Sequence, residues 1–310
     1  MNLAAIADES IENNPVEAGT VRWNRDYDAA LKQSNRTGKP VFLLFQEIPG
    51  CAGCQAFGRN VLSNPLLVEA IEDEFIPVLV YNNRSGGNDE ILRRQFNEPA
   101  WNYQVVRFLD ANGRDLIPRK DLVWTIEGIA SRSIKALKAA QRPVPKYLET
   151  LIIENDVNNQ GECAFAMACF WVGEMELGSI DGVVETEAGY LDGHEVTKVV
   201  YMKNEISLDE LAAKAAQVKC AQKVYTSSGE KVTVKNLPTG RLSANYRKAG
   251  ASDQKKQISR WQEFQSVPGI TDMQLTKINA FATKDVSKAM EWLSPRQRRY
   301  FQTEMQKKNE

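Results

Sequence analysis

The stretch Gly38-Lys-Pro-Val-Phe-Leu-Leu-Phe-Gln-Glu-Ile-Pro-Gly-Cys-Ala-Gly-Cys54 decides the fold of the N-terminal half. Val41 to Phe45 is a short apolar run bounded by turn signals, the pattern of a buried strand. Glu47 to Cys54 reads as a turn, and Gln55 to Glu72 as helix interrupted around Ser63-Asn64-Pro65. The two cysteines therefore stand at a strand-to-helix junction. A helix N-terminus offers partial positive charge and backbone N–H donors, which favour the thiolate that disulfide exchange requires. Two cysteines three apart on the first turn close a disulfide with little motion, so the second resolves what the first attacks.

The flanking segments extend this pattern. Tyr27 to Ser34 reads as a helix ended near Gly38. Phe75 to Tyr81 and Val105 to Leu109 read as strands, and Ser131 to Gln141 as a closing helix. The order strand, CxxC, helix, strand, helix, strand is an α/β arrangement. Arg142-Pro-Val-Pro145 then makes a plausible hinge, with a helix around Tyr147 to Glu154. Three segments are expected: a loose lead-in over 1–20, an α/β domain over 21–142, and a second domain over 147–310 with a helical C-terminal part.

In the second domain, Glu162 to Ala168 reads as a strand and Cys169 to Leu177 as a helix opening at the cysteine. Val183 to Tyr190 and Glu195 to Met202 read as β-branched strands joined by Leu191-Asp-Gly193. Ser207-Leu-Asp-Glu210 matches a capping box opening a helix to about Val218. This β-α-β-β-α order suggests an α+β ferredoxin-like sandwich. Beyond Cys220, residues 255–264, 272–281 and 286–308 read as mainly helical.

Composition narrows the chemistry. The 39 Lys and Arg nearly balance the 40 Asp and Glu in 310 residues, so no global field favours nucleic acid. No apolar run approaches the roughly 18 residues that span a bilayer. His194 is the one histidine, which excludes multi-histidine metal sites. The cysteines are Cys51, Cys54, Cys163, Cys169 and Cys220, an odd number that argues against a disulfide framework. A structural zinc site would need a second pair or histidines beside Cys51 and Cys54, so redox chemistry is the stronger reading; no metal and no cofactor is expected. The acidic N-terminus does not read as an export signal, which points to the cytoplasm, or to the periplasm or secretion had a signal been removed earlier.

Two resemblances sharpen the expectations. Gly38 to Cys54 resembles the thioredoxin superfamily over roughly residues 20–140. Within it, Ile48-Pro-Gly-Cys51 is similar to the thioredoxin-like (seleno)proteins named for a VPGUxxT motif; Cys51 stands where those carry selenocysteine and Cys54 where they carry threonine. The cis-proline usual in such proteins falls here at Gln104 or Tyr103, a departure that bears on partner docking.

Ala168-Cys-Phe-Trp-Val-Gly-Glu174 resembles the GCFWG motif of peptide methionine sulfoxide reductase A. Gly182 to Tyr190, Gly193 to Tyr201 and Ile206 to Leu211 resemble that family's following strands and helix, covering roughly residues 160–218. The resemblance implies Cys169 as the nucleophile on the sulfoxide sulfur and Glu195 as the acid protonating its oxygen. Phe170 and Trp171 would form the methyl pocket, and Tyr246 would donate a hydrogen bond to the oxygen. Ala168 replaces the motif's first glycine, and no glycine-rich tail with resolving cysteines follows. Cys220 is a candidate resolving thiol, with a buried structural role equally open; Cys51 and Cys54, or an external thiol reductant, are the other electron sources. The expected substrate is methionine S-sulfoxide, free or in proteins. The alternative is a thioredoxin-like redox protein whose second domain binds methionine-containing partners without turnover.

Overall fold

A computed structural model describes residues 14–100, 104–227, 229–259 and 261–309. The chain divides into two compact units at Ile152/Ile153.

In the first unit, α1 (Tyr27–Thr37) starts at the Asp26 side chain, which accepts from Ala29 N, and ends at Gly38 in a left-handed conformation. Then follow β1 (Val41–Gln46), α2 (Ala52–Asn60), α3 (Pro65–Glu74), β2 (Ile76–Tyr81), α4 (Gly87–Gln95), β3 (Gln104–Leu109), the short β4 (Lys120–Asp121), α5 (Ile126–Ala139) and α6 (Lys146–Asn155), within whose last turn the division falls. The α2/α3 break falls where Asn64 caps and Pro65 opens the new helix, a position proline tolerates because its missing N–H would be unpaired anyway. The sheet order is β2-β1-β3-β4, with β1 parallel to β2 and antiparallel to β3. All six residues of β1 are buried, because helices cover both faces. Phe42 and Leu44 join Phe57 of α2 and Ile129 of α5 on one face; Leu43 and Phe45 join Tyr27 of α1 and Leu92 of α4 on the other.

The loose lead-in expected over 1–20 is corrected over its described part. Val16–Ala18 forms a 3-10 turn with Glu17 and Ala18 buried, because Glu17 satisfies the backbone of the CxxC turn. Residues 1–13 lie outside the described residues, as does Tyr103.

The second unit contains β5 (Gln160–Met167), α7 (Phe170–Gly178), β6 (Val183–Leu191), β7 (His194–Met202), α8 (Leu208–Gln217), β8 (Lys223–Thr226), β9 (Thr239–Arg241) and β10 (Arg247–Lys248). They are followed by α9 (Asp272–Phe281), α10 (Val286–Met290) and α11 (Pro295–Asn309). The sheet order is β10-β6-β7-β5-β8-β9; along β6, β7, β5 and β8 each strand is antiparallel to its neighbour. Asp192 and Gly193, both with positive φ, make the two-residue β6–β7 turn, matching the twist of the flanking strands. Leu177 of α7 and Leu211, Ala212 and Ala215 of α8 share a core with Phe165, Met167 and Val199 of the sheet. Ser207 and Glu210 form the expected capping box.

The helix expected over 255–264 is corrected to two short 3-10 turns, residues 256–258 and 262–264. Lys255 adopts a left-handed conformation that brings its N–H and its Nζ onto the buried Glu174, at 2.7 and 3.0 Å. Lys255 thus stands outside the first turn, as its N-cap.

Candidate functional site

Cys51 is the exposed N-cap of α2, and Cys54 lies one turn in and is fully buried. Their Sγ atoms are 3.5 Å apart, well beyond a disulfide bond, so the pair is a dithiol. The backbone N–H of Cys54 is the main influence holding the Cys51 thiol below its ordinary value, followed by the Cys54 thiol. Burial pushes Cys54 the other way, up to about 12, helped by its hydrogen bond with Cys51 and by the charges of Cys51 and Glu47. One thiol is thus exposed and ready to ionise, and its neighbour is held protonated beneath it.

The turn before Cys51 is pinned from three sides. Ile48 N donates to Asn83 Oδ1 at 3.1 Å, and Asn83 Nδ2 donates to Pro49 O, also at 3.1 Å. Gly50 N donates to Glu17 Oε1 at 2.8 Å, and Gln55 Nε2 donates back to Gly50 O at 3.3 Å. Gly50 is required by close approach, since a Cβ there would lie 2.4 Å from Glu47 O and 2.7 Å from Cys54 Cβ. The Ile48–Pro49 bond is cis. Under the pair, Gln46 Nε2 donates to Glu17 O and Cys54 O at 3.1 and 3.3 Å. Gln104 pairs with Gln46 across β1 and β3, and its amide donates to Val123 O. Glu47 and Asn83 therefore belong to this site, although sequence reading singled out neither. Their only signal was adjacency to the motif for Glu47, and none for Asn83.

In the second unit, Cys169 is the half-buried N-cap of α7. Glu195 Oε2 accepts from Phe170 N at 3.0 Å, so this carboxylate reaches the helix start that carries the thiol. Thr197 Oγ1 donates to Phe170 O at 3.2 Å and fixes the same turn. Phe170 is buried and meets Trp171 and Tyr190 edge-on, with centroids 5.9 and 5.6 Å away. Trp171 is 36% exposed and lies under Lys256 Nζ at 4.8 Å. Tyr190 is a third aromatic that sequence reading left out of the site.

Tyr246 stands elsewhere. Successive strand residues face opposite sides of a sheet. Tyr190 pairs with Glu195, so both share one face, while Gly189 and Glu187 share the other with Val196 and Lys198. Tyr246 packs over Gly189 and donates to Glu187 Oε1 at 2.7 Å, which places it across the sheet from Glu195. His194 is exposed at the start of β7. Cys220 is buried, its thiol 3.5 Å from Val218 O; burial and then the Glu176 charge push it up to about 11. Cys163 is fully buried on the helix-covered face, where desolvation pushes its thiol far up.

Residues 22–111 match a family described as Thioredoxin-like. Among solved structures, one titled "DsbH Oxidoreductase" is 21% identical with a TM-score of 0.32, covering 46% of this chain and 94% of that chain. No curated protein matches. The first unit thus carries a thioredoxin-like domain, with the Cys51/Cys54 pair at its strand-to-helix junction. Among the described residues, no helix is long and apolar enough to cross a membrane.

Proposed function

We propose that the protein is a thiol oxidoreductase whose first unit performs dithiol–disulfide exchange through Cys51 and Cys54. The observation that carries this reading is the asymmetry of the pair: an exposed, acidified N-cap thiol 3.5 Å from a fully buried, strongly basic one. Cys51 thiolate attacks a disulfide or sulfenic sulfur and forms a mixed disulfide. Cys54 then attacks the Cys51 sulfur, releases the partner as a thiol and leaves the Cys51–Cys54 disulfide. Cys54 must lose a proton as it attacks, and Glu47 Oε2, 3.9 Å from its Sγ, is the carboxylate in place to accept it.

The second unit, on this reading, is ferredoxin-like and similar to methionine sulfoxide reductase A, and it reduces methionine S-sulfoxide, free or in proteins. The strand order β6-β7-β5-β8 with both helices on one face supports the fold, and Cys169 beside Glu195 and the Phe170/Trp171/Tyr190 aromatics supports the chemistry. Cys169 attacks the sulfoxide sulfur, Glu195 protonates the departing oxygen, and methionine leaves with a Cys169 sulfenic acid. Cys51 displaces water from that sulfenic acid and Cys54 resolves the product, so two thiols become one disulfide per sulfoxide reduced. The relationship to VPGUxxT proteins rests on Ile48 to Cys51 alone.

The position of Tyr246 on the opposite sheet face favours a second reading, in which the aromatic surface around Cys169 binds methionine-containing partners without turnover. Methionine sulfoxide consumption by the purified chain with dithiothreitol separates the two. Turnover that is lost in Cys169→Ser supports reduction; no turnover, with the insulin-disulfide activity of Cys51/Cys54 intact, leaves the first unit's reading standing and removes the second's.

A further inference from the structure

The CxxC turn brings together more than two thiols. Cys51 Sγ, Cys54 Sγ and a Glu47 carboxylate oxygen all lie within 4.8 Å of one another, and among the described residues they are the one group of three such ligand atoms gathered so closely. A tetrahedral zinc ion with Zn–S of about 2.3 Å and Zn–O of about 2.0 Å spans S–S edges of about 3.8 Å and S–O edges of about 3.5 Å. The corresponding separations here are 3.5 Å between the sulfurs and 3.9 Å from Cys54 Sγ to Glu47 Oε2. These two edges lie within a few tenths of an ångström of the tetrahedral values, and the third, from Cys51 Sγ to the Glu47 carboxylate, is no longer than 4.8 Å.

The geometry points to a zinc-class divalent cation held by Cys51, Cys54 and Glu47 in the reduced protein. The donor set selects the ion class. Two thiolates disfavour magnesium and calcium, and a carboxylate as third ligand disfavours copper(I) relative to zinc. The ligands are also held in advance, because the Asn83, Glu17 and Gln55 hydrogen bonds and the crowded Gly50 fix the backbone from Ile48 onward. A closed structural zinc site needs four protein ligands; three leave the fourth position for water or an exchanging ligand, the pattern of a labile site.

On binding, both thiols release protons to solvent and no electrons move. Disulfide formation uses the same two sulfurs, so the cation and the oxidised state exclude each other. Reduced chain alone would bind, and bound metal would shield Cys51 from alkylation.

The test titrates reduced full-length chain with cobalt(II), whose thiolate charge-transfer band reports sulfur ligation, and then with zinc against a chromophoric chelator. One equivalent per chain is expected, absent after oxidation of the pair by diamide and absent in Cys51→Ser. Glu47→Gln should bind at least about tenfold more weakly, since even loss of an outer-shell partner costs ten- to a hundredfold. Retention of wild-type affinity by Glu47→Gln would reduce the site to a bare dithiol, and a full equivalent bound by Cys51→Ser would place the metal elsewhere; either result overturns the assignment. The readout is metal stoichiometry, so it is decided independently of disulfide exchange and of sulfoxide turnover.

Discussion

The two thiols of the CxxC pair should differ in alkylation rate by a margin the structure allows to be worked out. Cys54 is pushed up to about 12, so at pH 8 only about one molecule in 10⁴ carries it as thiolate. An ordinary thiol at about 8.5 is roughly a quarter ionised at that pH, and Cys51 lies below the ordinary value. A thiol at that ordinary value would already be ionised about 2,000 times more often than Cys54. Nucleophilicity works against this, because a more basic thiolate reacts faster with a slope of about 0.4–0.5 per pKa unit, returning a factor of roughly 40 to Cys54. For a thiol at the ordinary value the net advantage over Cys54 is about 50-fold, and the complete burial of Cys54 adds to it. The assay is timed iodoacetamide labelling of the reduced chain at pH 8, quenched and mapped by peptide mass spectrometry. Cys51 should be modified first, and its rate should keep its plateau to lower pH than free cysteine does. Comparable labelling of Cys54 within the first half-life of Cys51 would refute the reasoning, since neither the burial nor the helix-start argument could then hold.

Three further outcomes are expected. Cys169→Ser should abolish sulfoxide consumption while the melting transition stays within a degree or two, as the half-buried thiol makes little of the core; full turnover by this variant removes Cys169 from the chemistry. Gly173→Ala should destabilise the second unit by about 1–3 kcal/mol, the usual cost of overpacking, because its Cβ would fall 2.1 Å from Met167 Sδ and 2.3 Å from Thr197 Oγ1; a variant that melts with the wild type contradicts the packing described. Burial raises Glu154 to about 7, against an ordinary value near 4.3, so the folded state holds a proton that the unfolded state releases between those pH values. Stability from this group is therefore present below about pH 4 and lost as pH rises towards 7, by about 3.5 kcal/mol in all. Glu154→Gln should match the wild type in urea unfolding at pH 4 and exceed it at pH 8; equal midpoints at both pH values would show the carboxylate to be solvated.

The fold was legible wherever one element answered to one local signal. The apolar run at Val41, the Asn64-Pro65 break, the Asp192-Gly193 hairpin turn and the Ser207 capping box each fix a boundary by short-range physics, and the elements fall within a few residues of the expected positions. What was not legible depended on contacts distant in sequence. Residues 255–264 have helical composition, but Lys255 is drawn out of line by Glu174, 81 positions earlier. The start of the described chain looked loose because Glu17 has no pattern of its own; its value lies in reaching Gly50 N, 33 positions later.

The candidate sites divide along the same line. Cys51, Cys54 and Cys169 could be found because a helix start is a local feature, and each proves to be an N-cap or to stand on the first turn. Tyr246 was assigned by motif order, which says that two residues are near one another along the strands but not which side of the sheet each occupies. A strand alternates faces with every residue, so a single-position difference in where the loop after β9 returns is enough to move a tyrosine from the Glu195 face to the Glu187 face. The aromatic that does meet Phe170 is Tyr190, which pairs directly with Glu195 and so cannot leave that face without breaking the β6–β7 register. If the sulfoxide oxygen is met by a tyrosine in this protein, Tyr190 is the residue placed to do it. Tyr190→Phe should then lower turnover with the fold intact, whereas Tyr246→Phe should leave turnover unchanged; the opposite pattern would mean that the sheet face is not what selects the donor.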